Sequence, residues 1–181
     1  ASIRKYGPRG QFLRDFRIHT QGYHLMSGLA VGRDGSMYVS DYYGCVIRRL
    51  SPQGAVLNPI GGRGTGPGQL YIPKAVAVDQ AGNVYAADYD GKRVQKFSPA
   101  GQVLQQYGPS APGPNPTVTM CEADLAVDGR GNVYLSSTVH AGFIYPADGS
   151  SASPMPAFAS RIAVNRRGSR LLTMQYGNDL I

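Results

Sequence analysis

Short apolar runs alternate along this chain with clusters of Gly, Asp, Asn, Ser and Pro. Between Ala75 and Tyr107 the order is AVAV, the turn DQAGN, VYAA, the break DYDG, RVQKF, the turn SPAG and QVLQQY. Runs of this length, rich in Val, Tyr and Phe and bounded by turn formers, predict four short β-strands. The same order occurs one unit earlier, from Gly28 to Ile60 (GLAVGRDGSMYVSDYYGCVIRRLSPQGAVLNPI). It returns as DLAVDGRGNVYLSS from Asp124 to Ser137, followed by a weaker FIYPADGSS, and as RIAVNRRGSRLLTMQY from Arg161 to Tyr176. The first-turn glycines Gly35, Gly82, Gly131 and Gly168 recur 37 to 49 residues apart. The second-turn glycines Gly10, Gly54, Gly101 and Gly149 recur 44 to 48 residues apart.

Four strands per unit of roughly 40–50 residues is the mark of a β-propeller blade. One antiparallel sheet cannot hide both faces from water, whereas sheets stacked about an axis bury each other. The innermost strand then has neighbours on both faces, which suits a continuous run such as AVAV. Glycine at the hairpins supplies the positive φ that a side chain resists.

The N-terminal SIRKYGPRGQFLRDF is similar to the third and fourth strands of a unit, such as VIRRLSPQGAVL, and the C-terminal IAVNRRGSRLLTMQYGNDLI supplies a first and second strand. The expected organisation is therefore an all-β propeller of four blade equivalents. Blades are expected at about 25–62, 66–110 and 111–152, with one blade split between 1–18 and 158–181. Two arrangements remain open: the split halves pair and close a four-bladed ring, or the chain is part of a larger propeller. In the second, raw sheet edges need cover, for instance by a second chain completing the propeller.

Composition narrows the picture in three ways. The 181 residues with 42% hydrophobic content are enough for a real core and exclude a disordered chain. No apolar run reaches the length of a membrane span. No signal-peptide pattern stands at Ala1, which suits a mature chain or one cut from something longer. The net charge is +7, with 14 Arg against 4 Lys, and the basic residues are scattered apart from Arg48-Arg49 and Arg161, Arg166, Arg167 and Arg170. Such a surface serves solubility and also suits an acidic polymer or RNA. Cys45 and Cys121 fall at different places in the repeat and show no CxxC spacing; buried free thiols are favoured, with a disulfide left open.

The segment from Gly64 to Gly108 resembles an NHL repeat almost throughout. It carries the GPGQL lead-in, Pro73 before the inner strand, VAVD, GNVY, AAD, and RVQKF followed by a turn. The preceding unit has Val46 where the family has Arg at the start of the third strand, and the third unit has Ser136-Ser137 in place of the Asp after strand two. The resemblance covers most of the chain with fidelity falling toward the C-terminus. It implies a propeller fold, and NHL domains resemble six-bladed rings. Within this family the Asp after strand two, here Asp41 and Asp88, is implied to be structural, accepting backbone hydrogen bonds. The turn residues Asp79 and Asp128 read as Asx-turn formers.

Candidate chemistry lies just before each inner strand, at Ser27-Gly28, Lys74-Ala75, Ala123-Asp124 and Ser160-Arg161. Variation at equivalent positions on a rigid scaffold is what a ligand site needs. Lys74, Glu122, Asp124 and Arg161, with His24 close by, are the candidate ligand-binding residues, expected to line a polar mouth unless they pair with one another or face solvent. No catalytic set and no metal site are expected. Some propellers that resemble this family, the peptide-amidating lyases, hold zinc with three histidines from separate blades, whereas the positions equivalent to His24 here are Tyr71 and Met120, and His19 and His140 lie elsewhere. Glu122 and Asp124 alone fall short of a calcium site. GGRGTGPG, from Gly61 to Gly68, lacks the Lys-Ser/Thr ending and following helix of a phosphate loop.

The sequence thus favours a non-catalytic protein-binding or assembly scaffold without a cofactor, and the resemblance to NHL-repeat proteins implies an extracytoplasmic setting, periplasmic, secreted or at the cell surface. The alternatives are a metal-dependent lyase-like or lactonase-like propeller enzyme, and an RNA-binding NHL domain whose binding would be strongly salt-dependent.

Overall fold

The computed structural model describes residues 1–18, 24–89, 91–108, 124–136, 142–155, 160–165, 167–168 and 170–174. Among them are sixteen strands and no helix. Three four-stranded antiparallel sheets follow one another along the chain. The first contains β3 (Met26–Val31), β4 (Met37–Asp41), β5 (Val46–Leu50) and β6 (Val56–Gly61). The second contains β7 (Pro73–Val78), β8 (Val84–Asp88), β9 (Arg93–Phe97) and β10 (Val103–Tyr107). The third contains β11 (Leu125–Val127), β12 (Val133–Leu135), β13 (Phe143–Tyr145) and β14 (Ser153–Pro154). Two-stranded sheets flank the row: β1 (Ser2–Tyr6) with β2 (Phe12–Arg17), and β15 (Arg161–Val164) with β16 (Leu171–Met174). All eight repeat glycines named above hold φ between +66° and +91°, as the hairpin reading requires.

Side-chain alternation decides the packing. On β8, Val84 and Ala86 face the first sheet, where they share a core with Tyr38, Ile47 and Ile60 and with Leu70 of the connecting segment. Tyr85 and Ala87 face the third sheet and meet Leu125, Val133 and Leu135. A strand whose alternate residues enter different cores has no polar face, and all five residues of β8 are buried. The same division places Met37 and Val39 of β4 against Phe16 of β2, and Tyr134 of β12 against Ile162 of β15. The sheets therefore lie in sequence order, each packed on the next. Val31, Val78 and Val127, which close the three equivalent first strands, line one cleft of about 270 Å³. That convergence is what a common axis produces.

The most buried strands are the second of each sheet, β4, β8 and β12, rather than the first. Strand β7 is covered on both faces, but β3 alternates, with Leu29 52% and Val31 61% exposed. The cause is local: the sheet preceding β3 consists of β1 and β2, which correspond to a third and fourth strand. Nothing among the described residues occupies the inner positions, and a cleft of about 330 Å³ lies between Ser2–Arg4 and Met26–Leu29. Among the described residues the β1–β2 and β15–β16 pairs are separate sheets joined by no ladder, so the closed ring and the part of a larger propeller both stay open.

Repeat polar contacts fix the turns. Asp79 accepts from the amides of Ala81 and Asn83, from Asn83 Nδ2 and from the Tyr85 hydroxyl (3.1 Å). Asp128 does the same with Arg130, Asn132 and Tyr134. The buried Gln95 accepts from the Gly68 amide (2.9 Å) and donates to the Gln69 carbonyl (2.6 Å), so the GPGQL lead-in is a strap across the sheet. This is the structural role of the glycine-rich segment that superficially suggests a phosphate cradle.

Between the second and third sheets, Tyr107 stands 6.3 Å from Tyr85 and 5.8 Å from Tyr145, centroid to centroid. Burial pushes the Tyr145 phenol up to about 12. Tyr85, Tyr107 and Tyr134 are raised by burial first, and next by Asp79 for the first two and Asp128 for the third. Raised phenol values favour the neutral form in the folded state. For Tyr145 this contribution is intact below the ordinary value near 10 and is lost as pH climbs from there through about 12; the other three act in the same direction. Tyr145 alone should remove about 2–3 kcal/mol over that window. Tyrosinate absorbance and circular dichroism, followed together, should change in one cooperative step, and stepwise ionisation without unfolding would contradict this packing.

Candidate binding face

Lys74 is set by an irregularity in its strand. Pro73 pairs with Asp88 and Ala75 with Ala87, which leaves Lys74 as the extra residue of a β-bulge. Ser27 occupies the equivalent bulge between Met26 and Gly28. A bulge re-aims the side chain it carries. The backbone around Lys74 is held by the first sheet, because Ser27 Oγ donates to the Pro73 carbonyl (3.2 Å) and Ser40 Oγ to the Lys74 carbonyl (3.2 Å). A side chain at Gly28 would run into Ala75 and Lys74, so the close approach of the two sheets needs glycine there.

The Lys74 ammonium lies 4.6 Å from the centroid of Tyr89 and 6.0 Å from that of Tyr42. These tyrosines are equivalent: each follows the Asp that ends a second strand, and each donates its amide to the segment before the adjoining first strand, Tyr42 to Leu25 O and Tyr89 to Ile72 O. Tyr43, 54% exposed, stands edge-on to Tyr42 at 4.8 Å. Nearby, the exposed Arg63 stacks on Tyr71 at 5.3 Å.

The two aspartates beneath this surface are fully buried and paired. Asp41 accepts from His24 Nδ1 (2.7 Å), Arg48 Nε (2.7 Å) and the Gly44 amide (2.9 Å). Asp88 accepts from the amides of Tyr71 (3.0 Å) and Ile72 (3.2 Å) and faces Arg93 Nε at 3.4 Å. A side chain at Gly44 or Gly91 would collide with the respective carboxylate, which explains the shared DYxG sequence. Both aspartates thus anchor backbone, the role the family resemblance implies.

The other candidate residues fare differently. His24 is tied to Asp41. Asp124 accepts from the Leu125 amide and, across the sheet boundary, from the Ile162 amide, both at 3.0 Å. Arg161 is exposed and donates to the Ser160 carbonyl. Glu122, Cys121, His19 and His140 lie outside the described residues. Among the described residues, no ion pair or hydrogen bond joins Lys74 to Asp124 or Arg161, and no three His, Cys, Asp or Glu side chains converge. Cys45 is a free buried thiol whose ionisation is pushed up by burial. The aromatic members of the face, Tyr42, Tyr43 and Tyr89, were not among the sequence candidates. Their signal is the Asp-Tyr pair repeated at Asp41-Tyr42 and Asp88-Tyr89.

Residues 70–97 match the NHL repeat family. No curated protein matches the chain in sequence. In structure the chain is similar to one in a nidogen–laminin complex, with a TM-score of 0.69 and 18% identity, covering 92% of this chain and 64% of that one. It is also similar to a catalytically inactive variant of virginiamycin B lyase from Staphylococcus aureus, solved with quinupristin (TM-score 0.63, 13% identity, 86% of this chain and 49% of that one). A streptogramin B lyase gives a TM-score of 0.57 at 15% identity, over 76% of this chain and 44% of the lyase. The chain thus spans from under half to under two thirds of the length of these neighbours. At such identities the likeness shows the fold, that of a β-propeller, which serves both an enzyme and a binding complex.

Proposed function

We propose that this chain, built as an NHL-repeat β-propeller, works as a non-catalytic protein-binding module in an extracytoplasmic setting. The observation that supports the binding role is the cluster of Tyr42, Tyr43, Lys74 and Tyr89 on one rim, with Arg63 over Tyr71 beside it. Tyrosine and arginine carry a large share of interface energy because they bring much contact area with few rotors. Two packed sheets hold this cluster, so little ordering is left to oppose association. The neighbour from a nidogen–laminin complex shows that the same fold can enter a protein complex.

The test uses the immobilised chain to capture its partner from an extracytoplasmic extract of the source, with the partner identified by mass spectrometry. The double variant Tyr43→Ser, Lys74→Ala should weaken capture by about 30-fold, as expected for loss of a hot spot. Val31→Ser, at the opposite end of the strands, should leave capture unchanged. Equal capture by both variants would refute the binding face. Turnover of a streptogramin B by the purified chain would replace this reading with an enzymatic one. Recovery of the chain in the cytosolic fraction of the source would refute the compartment alone.

A further inference from the structure

We propose that what binds at Lys74 is an acidic segment of the partner protein, with an Asp or Glu carboxylate seated on the Lys74 ammonium between Tyr42 and Tyr89. The inference rests on the protein-binding reading and gives the partner its chemistry. Among the described residues, the cations nearest this surface that reach the interior are matched: Arg48 lies 2.7 Å from Asp41, and Arg93 lies 3.4 Å from Asp88. Among the described residues, Lys74 has no carboxylate partner and no hydrogen-bond acceptor. Its contacts are the two ring faces, which steer an ammonium but leave its charge and its three N–H donors unsatisfied. The side chain is half-buried, so water satisfies it less fully than it would a free lysine.

Among the described residues, the surrounding charge has the same sign. The nearby carboxylates Asp41 and Asp88 are neutralised from within, Arg63 is exposed on Tyr71, and the whole chain carries +7. A carboxylate on a short side chain would reach the ammonium while its methylene groups lie against the tyrosine rings. That combination turns a solvated cation into a water-poor ion pair.

The rings themselves argue against a nucleic-acid strand. Base binding needs open aromatic faces for stacking. Here the Tyr89 face carries the ammonium, and Tyr42 meets Tyr43 at 70°. Tyr43 is the one ring of these three that is more than half exposed.

The experiment measures binding of a fluorescein-labelled oligoglutamate to the whole chain at low salt, with oligoglutamine and oligouridylate as comparison probes. Oligoglutamate should bind best, and added salt should weaken it. Lys74→Met should lower its affinity about tenfold or more, and Lys74→Arg should largely restore it. Lys5→Met, which removes the same charge from β1, should change it little. Circular dichroism should show all three variants folded, since among the described residues the Lys74 ammonium makes no hydrogen bond or ion pair and touches only two ring faces at the surface. Absence of oligoglutamate binding, equal losses for Lys74→Met and Lys5→Met, or tighter Lys74-dependent binding of oligouridylate would each overturn the inference. If oligoglutamate fails while partner capture still depends on Tyr43 and Lys74, the acidic chemistry falls and the binding face stands. If capture is also insensitive, both fall.

Discussion

Asp88→Ala should lower the free energy of unfolding by about 3–5 kcal/mol, seen as a large drop in the urea midpoint. Asp88 is fully buried, and one of its oxygens serves two amides, those of Tyr71 and Ile72. Its other oxygen faces the Arg93 guanidinium. Truncation strands all three groups at once, and a buried charge without its counterpart costs more than the pair contributes. Arg93 would keep its bonds to the carbonyls of Gly66 (2.9 Å) and Gln69 (3.0 Å), which cannot neutralise it. Asp88→Asn separates the two parts. An amide oxygen can still accept from Tyr71 and Ile72, so the loss should be smaller and should reflect mainly the missing charge. A loss below about 1 kcal/mol for the alanine variant would mean that Asp88 does not anchor the segment before β7.

Phe97→Ala should cost a similar amount, about 3–5 kcal/mol. The ring is fully buried and lies in the core shared with Ile47, Ile60, Leu70 and Val84. Its removal opens a cavity between two sheets, each braced from its other side, so collapse into the space is hindered. Leu104→Ala is the internal control. Leu104 is exposed on the outer strand β10 of the same sheet, and its truncation should stay within about 0.5 kcal/mol. Equal effects from Phe97→Ala and Leu104→Ala would contradict face-to-face stacking of the sheets.

The repeat was legible because the strand and turn signals agree. GNVY, RVQKF and the paired glycine turns specify a four-stranded meander, and the ladders follow it. The burial of individual strands was less legible, because it depends on which sheet lies alongside. MSGLAV and PKAVAV look alike as sequences, yet Leu29 and Val31 are exposed while Ala75 to Ala77 are buried. The difference follows from what packs alongside: among the described residues the sheet before β3 has no inner strands, whereas β7 lies between two full sheets. Of the candidate site, Lys74 could be found because it interrupts an apolar run at a position that varies between units. Asp124 looked similar, but its carboxylate reaches the Ile162 amide of the next sheet, a long-range contact that no local pattern announces. Tyr42 and Tyr89 passed for turn residues because stacking around a lysine is set by two separate sheets.

Stacking in sequence order has a consequence for how the molecule comes apart. Among the described residues, each sheet packs mainly on the sheets next to it in the chain, and its own strands are consecutive. In an arrangement whose flanks are not joined, unzipping can begin at either flank without disturbing the middle, and the nearest-neighbour couplings are lost one after another. Backbone amides of β8 should exchange with solvent most slowly, while those of β1 and β16 open first. The rim that carries Lys74 spans the first two full sheets, well inside the β15–β16 flank, so fraying there can proceed while the rim stays intact.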